Sequence, residues 1–176
     1  RLSLPFEIYQ KDRYVFVITN VPPHPRERQE FSKVLAEWAM AEGFTASYLI
    51  GGLDNRLKPS EGDKIRCTMT RTFKGPENLS IPLLEKGLFV VGPLAVMLGY
   101  FEIGGFPANA LLPYANPTRP DPMAAAVAVQ YLNKLTDMSI DVGPLETDAQ
   151  RIESEIQELM KQRQERVKSD NKTLYI

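Results

Sequence analysis

Runs patterned like strands alternate with runs patterned like helices along this chain, each closed by glycine or proline, and that alternation limits the fold to layered α/β architectures. Residues 14–19 are a compact series of aromatic and β-branched side chains that reads as a buried strand. Residues 6–10 are placed to pair with it across the Lys11-Asp12-Arg13 turn. Val21-Pro22-Pro23-His24-Pro25 must be a loop. After it, Phe31, Val34, Leu35, Trp38 and Ala39 fall on one helical face that ends near Gly43. Residues 46–50 then read as a second strand running into Gly51-Gly52. The order predicts a right-handed βαβ unit with residues 14–19 and 46–50 parallel in one sheet.

The middle repeats the theme. Residues 65–70 read as a strand and 88–91 as a short buried one ending at Gly92. Pro93 suits a first helical turn, and residues 94–103 form an apolar helix closed by Gly104-Gly105, so that Gly104-Gly105-Phe106-Pro107 is first of all a helix stop and turn. Residues 108–112 give another strand before a loop over 113–120. Asp121-Pro122 is an N-cap and N1 pair that opens an alanine-rich helix through about Thr136. The expected fold is an α/β sandwich with a mainly parallel sheet.

The last part of the chain differs in character. Thr147 and Gln150 have capping-box spacing, and Leu145, Ala149, Ile152, Ile156 and Leu159 form one apolar stripe. Beyond Met160 the residues are almost wholly polar, so the helix is expected to leave the body there. A helix over 147–168 is about 33 Å long at 1.5 Å per residue, and residues 169–173 read as a flexible tether. We therefore divide the chain into an α/β core domain over residues 1–146 and a C-terminal helix with a docking tail over 147–176. The tail ends Leu174-Tyr175-Ile176. An apolar side chain can fill a pocket, a tyrosine adds a ring with a polar tip, and a terminal carboxylate can pair with a lysine or with backbone N–H groups. That combination reads as a peptide for docking on a protein partner.

Charge and cysteine content narrow the function. The formal net charge is −1, with no basic stripe interleaved with aromatics, which argues against nucleic-acid binding. Cys67 is the only cysteine, so there is neither an internal disulfide nor a cysteine-based zinc cluster, and a reducing cytoplasm is the expected compartment. The richest apolar stretch, 88–101, is broken by Gly92, Pro93 and Gly99, and no membrane span or signal peptide is expected. The chain starts at Arg1, so an incomplete N-terminus is expected.

Catalytic chemistry has few candidates. His24 is the only histidine and lies in a proline-rich loop without an evident partner; Cys67 fits a small core residue better than a nucleophile. Gly51-Gly52-Leu53-Asp54 follows a predicted parallel strand, where ligands gather in open α/β sheets. It lacks both dinucleotide and phosphate-loop spacing, so a tight turn explains it better. Asp54, Glu61 and Asp63 could in principle hold a metal, but scattered acids in such a loop read as solvated. No metal and no cofactor are expected.

Several landmarks, in order, resemble the proteasome assembly chaperone 2 family of eukaryotes, archaea and actinobacteria. They are Gly51-Gly52 followed by the strand Cys67-Thr68-Met69-Thr70; Gly92 before an apolar helix and Gly104-Gly105-Phe106-Pro107-Ala108 leading into Ala110-Leu111-Leu112-Pro113-Tyr114; Asp121-Pro122-Met123-Ala124-Ala125-Ala126; and Ile140-Asp141-Val142 followed by Leu145 and the terminal helix. The resemblance covers residues 48–159, and the glycine-rich N-terminal strand and loop of the family have no counterpart here. It implies a three-layer α/β/α fold similar to nucleoside phosphorylases and, by likeness to archaeal members, a non-enzymatic homo-oligomer that partners the proteasome. Leu174-Tyr175-Ile176 resembles the hydrophobic-tyrosine-any-residue (HbYX) ending of proteasome activators, which enters pockets between α-type subunits of the core particle. By that likeness Leu174 fills an apolar pocket, Tyr175 lies on its wall, and the Ile176 carboxylate pairs with a lysine. The alternative is a small-molecule enzyme of phosphorylase-like fold, of carboxylate–amine ligase type, with a site at Gly51, Gly52 and Asp54. A third reading, self-assembly of the terminal helix as a coiled coil, is disfavoured by a stripe that ends at Leu159.

Overall fold

The computed structural model describes residues 4–77 and 79–173, the last ten of them as backbone only. The order of elements is β1 (Phe6–Lys11), β2 (Tyr14–Thr19), α1 (Arg28–Ala41), β3 (Ser47–Ile50), β4 (Leu53–Asp54), β5 (Ile65–Met69), α2 (Pro93–Ile103), β6 (Ala108–Ala115), α3 (Pro122–Leu135) and α4 (Gly143–Thr173). β6 is the centre of the main sheet. Its run Ala-Asn-Ala-Leu-Leu-Pro-Tyr-Ala is buried through Tyr114, as expected of a strand covered on both faces. It pairs in parallel with β3 and β4 and antiparallel with β5, which gives a mainly parallel open sheet.

Two faces of β6 nucleate two cores. Ala108 packs with Ala36 of α1 and Phe101 of α2 on one side; Leu111 packs with Ile65 and with Leu132 of α3 on the other. The molecule is thus a three-layer α/β/α sandwich, with α4 lying outside α3. Fully burying a side chain such as Phe101 or Leu111 contributes about 1.5–3 kcal/mol, so these positions anchor the layers.

The proline inside β6 explains a break in its neighbour. The Gly51 N–H donates to the Leu111 carbonyl at 3.0 Å, and the next bond in a parallel ladder would come from the N–H of residue 113. Pro113 has none, and the strand opposite is interrupted at Gly51-Gly52 before β4 resumes in the same register.

Several expectations are corrected. β2 does not join β3 in a βαβ unit: it pairs only with β1, in a separate two-stranded antiparallel sheet. Residues 88–91 form no strand, and Phe89 and Val91 are 81% and 79% exposed on a loop. The buried face of α1 is centred on Ser32 and Ala36, and Val34 points outward. β6 continues through Ala115 instead of ending at Leu112. α4 begins at Gly143, where the Asp141 carboxylate accepts the Gly143 N–H at 2.9 Å and Pro144 occupies the first turn. Thr147 is therefore no cap; its hydroxyl donates to the Gly143 carbonyl at 2.9 Å, one turn back within the helix. Residues 169–173 are the end of this helix, not a flexible tether. Asp121 and Pro122 behave as expected: Asp121 accepts the Ala124 N–H at 3.0 Å and opens α3.

Candidate functional site

Two regions were singled out by sequence, the loop after β3 and the C-terminal helix with its tail. The loop lies at the carboxyl end of the parallel strands. A Cβ built on Gly51 would sit 2.9 Å from Leu94 and 3.0 Å from Leu112, so the glycine lets the start of α2 and the side chains of β6 close over the backbone. The close approach there is made by the protein's own leucines. Asp54 caps a short 3₁₀ turn, Asn55–Leu57, accepting the Arg56 N–H and the Arg56 Nε at 2.9 Å each. Those hydrogen bonds from Arg56 hold the Asp54 carboxyl down to about 2. It is an anion with a partner of its own.

The neighbouring acids are engaged in the same way. Asp63 accepts from the Ser60 hydroxyl at 2.7 Å and pairs with Arg66 at 2.7 Å, while Glu61 lies 3.8 Å from Lys58. Arg66, only 6% exposed, also donates to Glu85 at 2.6 Å, and its guanidinium lies over the Tyr114 ring. Hydrogen bonds from Ser60 and then Arg66 lower the Asp63 carboxyl, and Arg66 lowers that of Glu85; burial raises the Tyr114 phenol. The Tyr114 hydroxyl is buried and meets no protein hydrogen-bond partner. Sequence reasoning missed this cluster. Its one visible signal is a charged residue, Arg66, between the apolar Ile65 and Cys67 of a strand pattern.

The remaining reactive side chains are apart. His24 is exposed on its loop, with Nδ1 accepting from the Arg26 N–H at 3.4 Å. Cys67 is fully buried in β5, and burial pushes its thiol up, away from the nucleophilic thiolate. Among the described residues no three histidine, cysteine, aspartate or glutamate side chains converge to hold a metal ion. None of their helices is long and apolar enough to cross a membrane.

α4 has 31 residues and is about 46 Å long. Leu145, Ala149, Ile152 and Ile156 are half-buried, at the spacing the sequence predicts. The stripe then turns to solvent: Leu159 is 64% exposed, and residues 160–163 are exposed all round. Arg119 reaches Glu153 at 3.6 Å and Gln130 reaches Glu146 at 3.5 Å, so among the described side chains the polar contacts with the body lie in the first half of the helix. Leu174, Tyr175 and Ile176 lie outside the described residues.

The PAC2 family model matches residues 1–160. The chain belongs to that family. The match reaches the first residue, further than the stretch 48–159 on which the resemblance was read. A comparison with curated proteins returns no match. Among solved structures, Pyrococcus furiosus PbaA, described as an archaeal homolog of proteasome-assembly chaperone, is 21% identical with a TM-score of 0.75; the alignment covers 100% of this chain and 75% of PbaA. P. furiosus PbaB, described as an archaeal proteasome activator, is 16% identical with a TM-score of 0.70, over 88% of this chain and 70% of PbaB. A Thermoplasma acidophilum protein of unknown function is 17% identical at a TM-score of 0.71, over 97% and 70% of the two chains. At these identities the likeness establishes a shared PAC2 fold.

Proposed function

We propose that this PAC2-family chain is a non-enzymatic, oligomeric chaperone or adaptor of the proteasome core particle, acting in the cytoplasm. It docks on the α-type subunits through Leu174, Tyr175 and Ile176. The observation that carries this reading is the outer half of α4, whose described side chains are all exposed after Ile156 and whose helix runs to Thr173, immediately before those three residues. The descriptions of PbaA and PbaB as a chaperone homolog and a proteasome activator support the choice of partner. The commitment of Asp54 to Arg56 and the filling of Gly51 by Leu94 and Leu112 support a role without catalysis.

Docking of one tail is weak by the magnitudes involved. Burying about 150–250 Å² of tyrosine and a somewhat smaller leucine yields about 6–8 kcal/mol at roughly 25 cal/mol per Å². Loss of translational and rotational freedom removes at least about 4 kcal/mol of that. Several tails on one oligomer raise avidity by about 10²–10⁴ with no new contact, which is why the proposal includes an oligomer.

The test compares the intact chain with one lacking Leu174-Tyr175-Ile176, and with Tyr175→Ala, in co-sedimentation with core particle. Binding is expected to fall at least about 100-fold in both, with an unchanged thermal midpoint. Equal binding by the intact and truncated chains would overturn the proposal.

A further inference from the structure

Beyond Met69 the chain leaves β5 and then returns to it. It turns at Thr70, whose carbonyl accepts the Phe73 N–H at 3.1 Å, and comes back along the outer edge of the strand. There the Cys67 N–H donates to the Pro82 carbonyl and the Leu84 N–H to the Cys67 carbonyl, each at 2.9 Å. Between these two points the chain arches over the side of the sheet that carries α3, and Ile81 packs on the Leu111 core. A cavity of about 550 Å³ lies under the arch, bounded by Met69, Phe73, Leu79, Ile81 and Leu135, the last residue of α3.

One polar side chain stands on the floor of this cavity. Register sets Cys67 opposite Leu111 and Met69 opposite Asn109, so these four side chains share the face of the sheet that meets α3. Asn109 is 1% exposed, and its Oδ1 meets no protein hydrogen-bond partner. The Cys67 thiol beside it is engaged, donating to the Ile81 carbonyl at 3.6 Å. Burial raises that thiol, and a hydrogen bond from the Asn109 amide offsets part of the rise, so the amide N–H serves the sulfur and Oδ1 is left as the free acceptor. A buried carbonyl oxygen without a donor is costly. None of the residues lining the cavity carries a charge, so an ion entering it would lose its hydration and meet no counter-charge.

We infer that this cavity is a binding site for an uncharged, mostly apolar small molecule that carries one O–H or N–H donor. The donor meets Asn109 Oδ1, and the apolar body packs on Met69, Phe73 and Leu135. The volume falls within the range of about 300–1,000 Å³ typical of small-molecule sites, which combine an apolar lining with a few placed polar groups. The site is separate from the loop after β3. Asn109 is the second residue of β6, whereas Leu53 and Asp54 pair with Tyr114 and Ala115 at the far end of that strand. The inference does not rest on the docking tail.

A matched pair of probes reads the acceptor. 2-Naphthol and 2-methoxynaphthalene share one apolar body, and only the first can donate a hydrogen bond. Titrated calorimetrically into the full chain at neutral pH, 2-naphthol should bind one to one, and the methyl ether at least about tenfold more weakly. Asn109→Leu should abolish that preference, leaving the two probes within about twofold of each other. Met69→Trp sets a large ring at the rim of the cavity and should weaken 2-naphthol binding at least about tenfold with an unchanged far-UV spectrum. Met69 is 40% exposed, so this variant tests the site even where Asn109→Leu fails to fold. No saturation by 2-naphthol below about 1 mM, equal binding of the two probes to the unmutated chain, a preference that survives Asn109→Leu, or undiminished binding by Met69→Trp would overturn the inference. The chain lacking residues 174–176 should bind 2-naphthol like the intact one, so this result and the core-particle result are read separately.

Discussion

The carboxyl end of the sheet and the outer half of α4 are built on opposite terms. At the sheet end, where open α/β folds hold their ligands, three carboxylates are paired with arginines of the same chain: Asp54 with Arg56, Asp63 and Glu85 with Arg66. The space above Gly51 is filled by Leu94 and Leu112. On the outer half of α4, by contrast, Leu159 and Met160 face water, and no partner within the chain covers them. The sheet end is thus filled by packing and ion pairs, whereas the described apolar side chains of the outer half of α4 are left to solvent.

The largest test of that contrast is Arg66→Met, which leaves Asp63 and Glu85 without their shared cation. Breaking a buried ion pair costs about 3–5 kcal/mol. Because Glu85 is more than a third exposed, solvent screening brings the expected cost nearer about 2 kcal/mol, read by urea denaturation. The pH profile should change with it. Both carboxyls are held below their ordinary values when folded, so their stabilisation is present above the unfolded range near pH 4 and is lost as pH falls through the depressed folded values. Arg66→Met should flatten that acid-side loss, leaving the part due to Ser60.

A smaller effect is expected of Gly51→Ala. The new methyl group meets two flexible leucine ends within 3.0 Å, which costs about 1–2 kcal/mol through repacking. A neutral or stabilising result would mean that the region has room, and would reopen it as a ligand site. The smallest effect is expected of Leu159→Lys, within about 0.5 kcal/mol, against about 2 kcal/mol for Ile152→Lys on the half-buried stripe. Equal thermal shifts for the two variants would show that the outer half packs on the body, and the contrast would fail.

Local punctuation made much of the fold legible. Asp121-Pro122, Pro93 and Gly105 each have a conformational reason to begin or end a helix, and the stripe Leu145 to Ile156 has one packing solution. What failed was non-local. The composition of β2 suits a central strand, and nothing in it tells that its neighbour would be β1 alone. The apolar run 88–91 has strand-like residues but ends as an exposed loop before α2. Proline was read as ending β6, whereas the fold tolerates Pro113 by breaking the strand opposite. In the candidate site, Gly51 and Asp54 lie at the sheet end where the sequence places them, and the Arg66 cluster is hidden from a sequence reading because two of its members, Glu85 and Tyr114, are 19 and 48 residues from Arg66. The terminal tripeptide was legible only as chemistry.

α4 also acts as a lever. Among the described side chains the last half-buried one is Ile156, and about 26 Å of helix lies between it and Thr173. Long helices bend gently, and a tilt of 10° at the last contact would swing the free end by about 4–5 Å over that length. A gentle bend of the helix axis thus translates into several ångströms of displacement at Thr173.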